Sequence, residues 1–246
     1  KRVINIFNAY NTIRKQLTQA YQKERTLSSI LLFVFLSYLL LHIIFGRHQL
    51  PAYDAYTYIG FAEHYAKNWF TTLIPSQAHG LQIASYPPLL FQVMALLSIL
   101  PFLELNHIYI ILASLGASSL STSLYYLLDT LFDTEKKISH WVILFIAFSP
   151  GLIKSTLLYG QVTFLFGMTF GFTISALFYK AIKEQKNTGA LITVLLALTS
   201  FIHHFSLIIT GLILIIISLT NLRDLVNRLD YLASIAVISA TIIFLG

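Results

Sequence analysis

Residues 28 to 45 read SSILLFVFLSYLLLHIIF, eighteen consecutive positions without a formally charged side chain. At about 1.5 Å of rise per residue, a helix of this length matches the hydrocarbon core of a bilayer. Inside lipid every backbone N–H and C=O has to be paired within the segment, so such a span is helical. A membrane β-barrel would alternate apolar and polar residues, which this stretch does not do. The stretch therefore predicts a transmembrane helix.

Composition and charge extend this prediction to the whole chain. Apolar residues make up 57% of the 246 positions and charged residues only 11%, whereas a soluble domain carries about 25% charged residues. There is no cysteine, which excludes disulfides and thiolate metal sites. Much of the net charge of +6 precedes the first apolar stretch, where a single acid, Glu24, accompanies Lys1, Arg2, Arg14, Lys15, Lys23 and Arg25. The positive-inside rule then predicts a cytoplasmic N-terminus, with fewer assumptions than nucleic-acid binding.

The chain divides into two parts. Residues 1–27 form a cytoplasmic amphipathic segment, with apolar groups at helical spacing over 3–21, which we expect to lie on the inner leaflet. Residues 28–246 form one transmembrane module, with apolar segments at about 28–45, 88–103, 107–128, 139–153, 162–179, 188–202, 204–220 and 231–246. The predicted fold is an all-α integral membrane bundle with several spans. Short interfacial helices are expected in the polar excursion 46–87.

Two patterns predict how these helices pack. Gly167 and Gly171 form a GxxxG pair in the apolar segment 162–179. A second set of small residues at helical spacing consists of Ala113, Ser114, Ala117, Ser118 and Ser121. Small side chains let helix backbones approach closely in lipid, so both patterns predict helix–helix contacts.

Loop charges predict which ends of the bundle share a side. The loops that carry Lys136 and Lys183 should lie with the N-terminus, because cytoplasmic loops are rich in lysine and arginine. This arrangement requires one early segment not to cross, and the short, proline-flanked segment 88–103 is the best candidate. Asp54, Tyr159 and His204 then lie together on the opposite side.

The excursion 46–87 mixes charge, histidine and aromatic residues. Asp54, in AYDAYTYIGFAEHY, is a candidate general base near the membrane surface, although an N-cap of the following helix is the more common role of such an aspartate. His64 and His79 could bind a divalent metal together with Asp54 or Glu63. They lack a specific ligand spacing, so ordinary surface histidines are the better interpretation.

Further polar residues interrupt the apolar segments. Tyr86 opens a Tyr-Pro-Pro-Leu sequence, which suits a helix start at the interface. Lys154 and Gln161 lie in SPGLIKSTLLYGQ, where the lysine either serves a function or reaches the headgroups. His203 and His204 either interact with a phosphate or a proton, or stabilise a turn. Because adjacent helical residues point about 100° apart, we expect only one of the two, His204, to face a cavity.

Taken in order, these motifs resemble the GT-C superfamily of membrane glycosyltransferases. The matching features are an acid in YDAYTY after the first span, a Tyr-Pro-Pro-Leu element, a Ser-Pro break and a Tyr-Gly-Gln step, here Asp54, 86–89, 149–150 and 159–161. Within the superfamily the chain looks closest to the prokaryotic membrane proteins catalogued as 6-pyruvoyl-tetrahydropterin synthase-related, a name that implies no pterin chemistry. Those proteins also carry an acid before an aromatic-rich helix, a YPPL step and paired histidines. The resemblance covers about residues 28 to 220.

The resemblance implies inverting transfer of a hexosyl or pentosyl group from a polyprenyl-phosphate donor to an acceptor on the external face. Asp54 would be the catalytic base, and the donor-binding residues would be His79, Tyr86, Lys154, Gln161, His203 and His204. A divalent metal stays an open alternative. The expected partners are the lipid-linked sugar, the bilayer and a membrane protein, with no nucleic acid.

Two departures from the superfamily leave other functions open. Its members are usually much longer, with more spans, so the chain is expected to be a truncated or minimal relative. The second acid that some members use has no clear counterpart, because Glu63 falls in the same helix as Asp54. The alternative function is a non-catalytic scaffold or assembly subunit of the same fold. A lipid or solute transporter ranks third, since the chain lacks two corresponding halves with broken helices.

Overall fold

A computed structural model of the chain describes residues 25–45, 54–71, 87–132, 140–184, 187–229, 233–238 and 240. The helices are α1 (Arg25–Phe45), α2 (Asp54–Lys67), α3 (Leu89–Leu97), α4 (Leu105–Leu131), α5 (Val142–Ala147), α6 (Pro150–Ile153), α7 (Val162–Lys183), α8 (Gly189–Ile202), α9 (His204–Thr220) and α10 (Leu222–Val226). A π-helical turn, Lys154–Leu158, follows α6, and residues 233–238 are helical. The described residues contain no strand, which confirms the all-α prediction for this part of the chain.

Three of these helices, α1, α4 and α7, have the length and apolar composition needed to cross a membrane. The other apolar segments form shorter helices, and α8 and α9 have only 14 and 17 residues, against the roughly 20 of a typical span. Segment 88–103 contains only the nine residues of α3, in line with the prediction that it does not cross. Most of segment 231–246 and the amphipathic segment 3–21 lie outside the described residues.

The predicted apolar segment 139–153 is not one helix. It is divided into α5 and α6 at Phe148 and Ser149. The Ser149 backbone is extended and its side chain accepts a hydrogen bond from the Leu152 amide at 3.4 Å, while Pro150 occupies the first turn of α6. Serine at the N-cap and proline at the first helical position favour a new helix start over continuation of the old helix. A single continuous helix over these residues is therefore ruled out.

The centre of the bundle is the pair α4 and α7, which run parallel. Gly116 of α4 lies against Leu165 of α7. The predicted small-residue set of α4 is entirely buried. Hydroxyl groups in this set bond to backbone carbonyls of their own helix, as Ser121 does to Ala117 at 2.8 Å. Such bonds satisfy buried hydroxyls without a partner helix, so the small side chains serve close packing as predicted.

Residue contacts define two ends of the bundle. We call the first the Asp54 end; it contains the beginnings of α2, α4, α7 and α9, because Tyr109 lies beside Gly160 and Gly167 beside Ser206. We call the other the Lys183 end; there the Lys183 ammonium lies 2.6 Å from the Asp224 carboxylate. Helix α1 runs antiparallel to α4, because His42 near its end lies 3.5 Å from Ser114 and its start, at Arg25, lines a groove with Trp141, beyond the end of α4. It therefore begins at the Lys183 end.

These contacts agree with the predicted sharing of sides for the residues that the structure describes; residues 1–24 lie outside them. Arg25 and Lys183 lie at one end, while Asp54, Tyr159 and His204 lie at the other. The loop with Lys136 lies outside the described residues.

Candidate functional site

A cavity of about 370 Å³ opens at the Asp54 end. Its lining brings together α2, the start of α7 and the turn between α8 and α9. The described lining residues are Asp54, Tyr58, Gln161, Phe164, His203 and Phe205. Three of the residues that the sequence singled out, the acid, the glutamine and one histidine, therefore converge although more than 100 positions separate Asp54 from the other two.

Asp54 is the first residue of α2 and makes hydrogen bonds with two tyrosines. Its backbone N–H donates to the Tyr159 carbonyl at 3.2 Å, and its carboxylate accepts from the Tyr58 hydroxyl at 3.4 Å. The Tyr58 oxygen also lies 3.0 Å from the Thr163 hydroxyl of α7. Tyr58 and Thr163 are buried. The carboxylate is thus tied to α7 through one tyrosine.

The environment of Asp54 suits a base. Partial burial raises the pKa of this carboxyl above its ordinary value, and the hydrogen bond from Tyr58 lowers it in part. Desolvation disfavours the charged form, whereas a hydrogen bond to the carboxylate favours it. A raised carboxyl pKa brings proton affinity closer to neutral pH, which is the condition for efficient general base catalysis.

An irregular segment between α6 and α7 forms the wall next to Asp54. The π-helical turn Lys154–Leu158 ends in a bond from the Tyr159 amide to the Lys154 carbonyl at 2.9 Å. Gly160 follows with φ of +69°, a conformation that only glycine adopts without strain. Gln161 is the N-cap of α7, and its amide donates to the Ser155 carbonyl at 2.9 Å. Isolated π-turns are frequent at functional sites.

Close packing requires glycine at position 160 as well. A Cβ atom there would lie 2.6 Å from the Tyr109 hydroxyl and 3.2 Å from the Ala55 amide nitrogen. The Tyr109 hydroxyl is itself buried, with no hydrogen-bond partner among the described residues. The wall of the cavity therefore lies directly on α2 and α4, with no room for a side chain between them.

His203 joins α8 to α9 and has an extended backbone, with φ of −161° and ψ of 106°. Its Nδ1 accepts a hydrogen bond from the Ser206 amide at 3.2 Å and lies 3.0 Å from the Ser206 hydroxyl. A backbone amide can only donate, so in a neutral ring the proton is on Nε2. Burial, and secondarily the neighbouring His204, lowers the pKa of His203. A lowered pKa favours the neutral ring, whose Nε2–H is then a hydrogen-bond donor.

The GxxxG pair of α7 brings this histidine into place. At Gly167, a Cβ atom would lie 2.5 Å from the Ser206 hydroxyl and 3.0 Å from the His203 Cβ. Gly171, one turn further along α7, is in the same way in direct contact with Thr210 of α9. The predicted close approach is confirmed, and its partner is the helix that begins at the histidine pair.

Two of the predicted site residues do not line this cavity. Lys154 is exposed on the π-helical turn, and His204 is exposed as the first residue of α9. The expectation that His204 faces the cavity is wrong, because His203 is not helical and its ring turns back to cap α9. His79 and Tyr86 lie outside the described residues.

The described residues contain no group of three His, Asp or Glu side chains that could hold a metal ion. The His64 Nε2 atom lies 2.8 Å from the Thr71 carbonyl just beyond the end of α2, in line with a structural role for this histidine. Glu63 is exposed on the same helix as Asp54.

Three cavity residues were not identified from the sequence as site residues. Tyr58 had a local signal, because it follows Asp54 by four positions and so lies on the same helical face. Phe164 and Phe205 had none, since a phenylalanine in an apolar segment does not differ from its neighbours. Phe164 is packed edge-to-face on His203, with ring centroids 5.6 Å apart.

Searches with this chain against protein-family models, curated proteins and solved structures find no match.

Proposed function

We propose that the protein is a membrane glycosyltransferase that moves a sugar from a polyprenyl-phosphate donor to an acceptor hydroxyl. One observation carries the proposal: a carboxylate with a raised pKa, a glutamine and a neutral histidine share one cavity at one end of a bundle with membrane-length helices. These residues belong to the motifs that carry the resemblance to the GT-C superfamily. The proposed class needs a base and donors to a phosphate, and the cavity contains both kinds of group.

In the proposed reaction Asp54 removes the proton of the acceptor hydroxyl. The acceptor oxygen forms a bond to the anomeric carbon as the bond from that carbon to the phosphate oxygen breaks. The proton ends on Asp54 and the polyprenyl phosphate leaves with the electron pair. Attack from the face opposite the phosphate inverts the anomeric centre.

The Gln161 side-chain NH₂ and the His203 Nε2–H are the proposed donors to the leaving phosphate, where negative charge develops. Placing a neutral imidazole there stabilises the phosphate without forming a tight ion pair with the Asp54 carboxylate. Phe164 and Phe205 supply the apolar part of the lining and strengthen these polar interactions by excluding water.

We further propose that α1, α4 and α7 cross the bilayer with the Lys183 end in the cytoplasm and the Asp54 end outside. The support is the distribution of charge. Arg25, Lys180 and Lys183 belong to the Lys183 end, and the sequence before α1 is basic. Cationic residues accumulate on the cytoplasmic side of membrane proteins.

The test is sugar transfer by the full chain in lipid nanodiscs, with a panel of radiolabelled polyprenyl-phosphate hexoses and pentoses and washed membranes as acceptor. The first prediction is that Asp54→Asn lowers the transfer rate by about 10²- to 10⁴-fold, the range that a positioned base contributes. Its folding is expected to survive, because a half-buried carboxylate is replaced by a neutral group of the same shape.

Glu63→Gln is the matched control, since it removes an exposed carboxylate from the same helix and should leave transfer unchanged. If Asp54→Asn transfers sugar at the rate of the unchanged chain, Asp54 is not the base. If the chain transfers sugar from none of the donors, while deleting its gene breaks up a membrane complex, the scaffold alternative is correct.

A further inference from the structure

A groove between α1 and α5 opens near the Lys183 end, away from the Asp54 cavity. One part has a volume of about 540 Å³ and is lined by Arg25, Thr26, Ser29, Ile30, Phe33, Trp141 and Leu144. A second part of about 500 Å³ shares Trp141 and Leu144 and continues to Phe145 and Phe148. We call the two parts together the α1–α5 groove. Arg25 and Phe33 are eight positions apart on α1, so the groove extends along about 12 Å of that helix.

The groove is apolar and open. Its floor is aromatic: the ring centroids of Phe33 and Phe148 are 6.4 Å apart, and Tyr38 stacks on Phe148 at 6.2 Å. Trp141 is 66% exposed and Phe145 is 79% exposed. Only 17% of the apolar window of α1 is buried inside the protein, against 67% for α4. Apolar surface of this extent marks a place that lipid or another protein covers.

One charge distinguishes this groove from an ordinary lipid-facing surface. Arg25 is the only charged residue in the described lining, and it lies at one end, next to the hydroxyl-bearing Thr26 and Ser29. A guanidinium has the donor geometry to bind a phosphate with two parallel hydrogen bonds. Trp141 lines the same part of the groove, and tryptophan is enriched at the level of the headgroups. A cation and an indole at one end of an apolar trough complement an anionic headgroup followed by an acyl chain.

We propose that the α1–α5 groove binds an anionic phospholipid, with one acyl chain along Phe33 and Phe148 and the phosphate on Arg25. This site depends on insertion of the chain into a membrane and not on sugar transfer. An arginine near a membrane surface contributes enough attraction to an anionic lipid for about a fivefold preference over a zwitterionic one.

Trp141 is a built-in reporter of the groove. The chain contains two tryptophans, so Trp69→Phe leaves Trp141 as the only indole. This variant is reconstituted into phosphatidylcholine vesicles in which either phosphatidylglycerol or phosphatidylcholine carries brominated acyl chains. Brominated phosphatidylglycerol should reach half-maximal quenching of Trp141 at about one fifth of the concentration that brominated phosphatidylcholine requires.

Adding Arg25→Gln should abolish this preference and leave quenching by both lipids. Arg223→Gln is the matched control, because it removes an exposed cation near Asp224 at the same end but outside the described lining. It should preserve the preference.

Two results would overturn the proposal. Equal quenching by both lipids, with and without Arg25, would show ordinary contact with bulk lipid. Quenching by neither lipid would show that protein fills the groove. If either result is found while Asp54-dependent sugar transfer is intact, only the lipid site is rejected. If the lipid preference is found but the protein transfers no sugar, only the glycosyltransferase proposal is rejected.

Discussion

The two ends of α7 use polar residues in opposite ways. At its beginning, the chain passes through a π-helical turn and the left-handed Gly160 to Gln161 at the N-cap position, and half-buried polar groups face a cavity. At its end the helix is regular: the Lys180 ammonium lies 2.9 Å from the Tyr126 hydroxyl, and Lys183 pairs with Asp224 at the surface.

The comparison teaches which polar residues are informative. Burying a polar or charged group costs free energy unless it is paired, so a half-buried carboxylate persists only where the fold holds it. An exposed lysine has no such burial cost. Its position therefore indicates how the protein is oriented in the membrane rather than where a reaction takes place. The following substitutions should therefore have large effects at the Asp54 end and small ones at the Lys183 end.

The largest structural effect is expected from Gly160→Ala. A left-handed backbone costs an L-residue about 1–2 kcal/mol, and the new Cβ would lie 2.6 Å from the Tyr109 hydroxyl. The variant should lose about 2 kcal/mol or more of stability, and the transfer rate should fall with it. Thermal unfolding followed by circular dichroism in nanodiscs measures the loss.

Gly211→Ala is its control, because a Cβ on that residue of α9 would meet no atom within 4 Å. Alanine favours a helix by up to about 1 kcal/mol over glycine, so the control should be as stable as the unchanged chain or more so. If Gly160→Ala unfolds at the same temperature as this control, the packing of the cavity wall is not as described.

A somewhat smaller effect is expected from Gly167→Ala. Its Cβ would lie 2.7 Å from the Ser206 Cβ, so α9 has to move away from α7 and carry His203 with it. Overpacking of this kind costs about 1–3 kcal/mol. Binding of a polyprenyl phosphate, measured by its protection of the chain against thermal unfolding, should weaken. If the protection is unchanged, His203 does not take part in donor binding.

Tyr58→Phe should move the pH dependence of the reaction. The hydrogen bond from Tyr58 lowers the pKa of Asp54 against the larger effect of burial. Without this hydrogen bond the pKa of Asp54 is higher still. The carboxyl then loses its proton, and can act as a base, only at higher pH. The acid limb of the pH–rate profile should therefore shift upward while the plateau at high pH is retained. Tyr56→Phe changes an exposed tyrosine of the same helix and should leave the profile in place.

The raised pKa of Asp54 also has a consequence for stability. The native state binds this proton more tightly than the unfolded chain, whose aspartate titrates near pH 3.9. Stability should fall as the pH rises from that value through the folded pKa, and Asp54→Asn should remove this fall. A variant that loses activity without losing stability at neutral pH would mark Asp54 as a functional residue.

The smallest effect is expected from Asp224→Asn at the Lys183 end. The pair it breaks is exposed, with side chains 39% and 40% accessible, and exposed ion pairs are weakened by water and salt. Neither the unfolding temperature nor the transfer rate should change measurably. A loss comparable to that of Gly167→Ala would show that the two ends are not as different as we infer.

Much of the helical architecture could be predicted from the sequence. Apolar runs of membrane length require helices because no water is available to pair the backbone, and α1, α4 and α7 follow this rule. The GxxxG pair and the small residues of α4 pack as predicted, since a missing side chain is a local property visible in the sequence. Asp54, Gln161 and the histidine pair could likewise be selected as candidates from the sequence, because polar groups beside apolar runs are rare.

Only the tertiary structure decided which of these residues meet. His203 rather than His204 reaches the cavity because its backbone leaves the helix to cap α9. Lys154 stays outside because the π-helical turn leaves it exposed. Tyr58 lines the cavity because α2 packs against α7 at Thr163. Periodicity reports which face of a helix is apolar. The meeting of distant residues depends on contacts such as Gly160 with Tyr109 and Gly167 with Ser206, and no local pattern identifies the partners in these contacts.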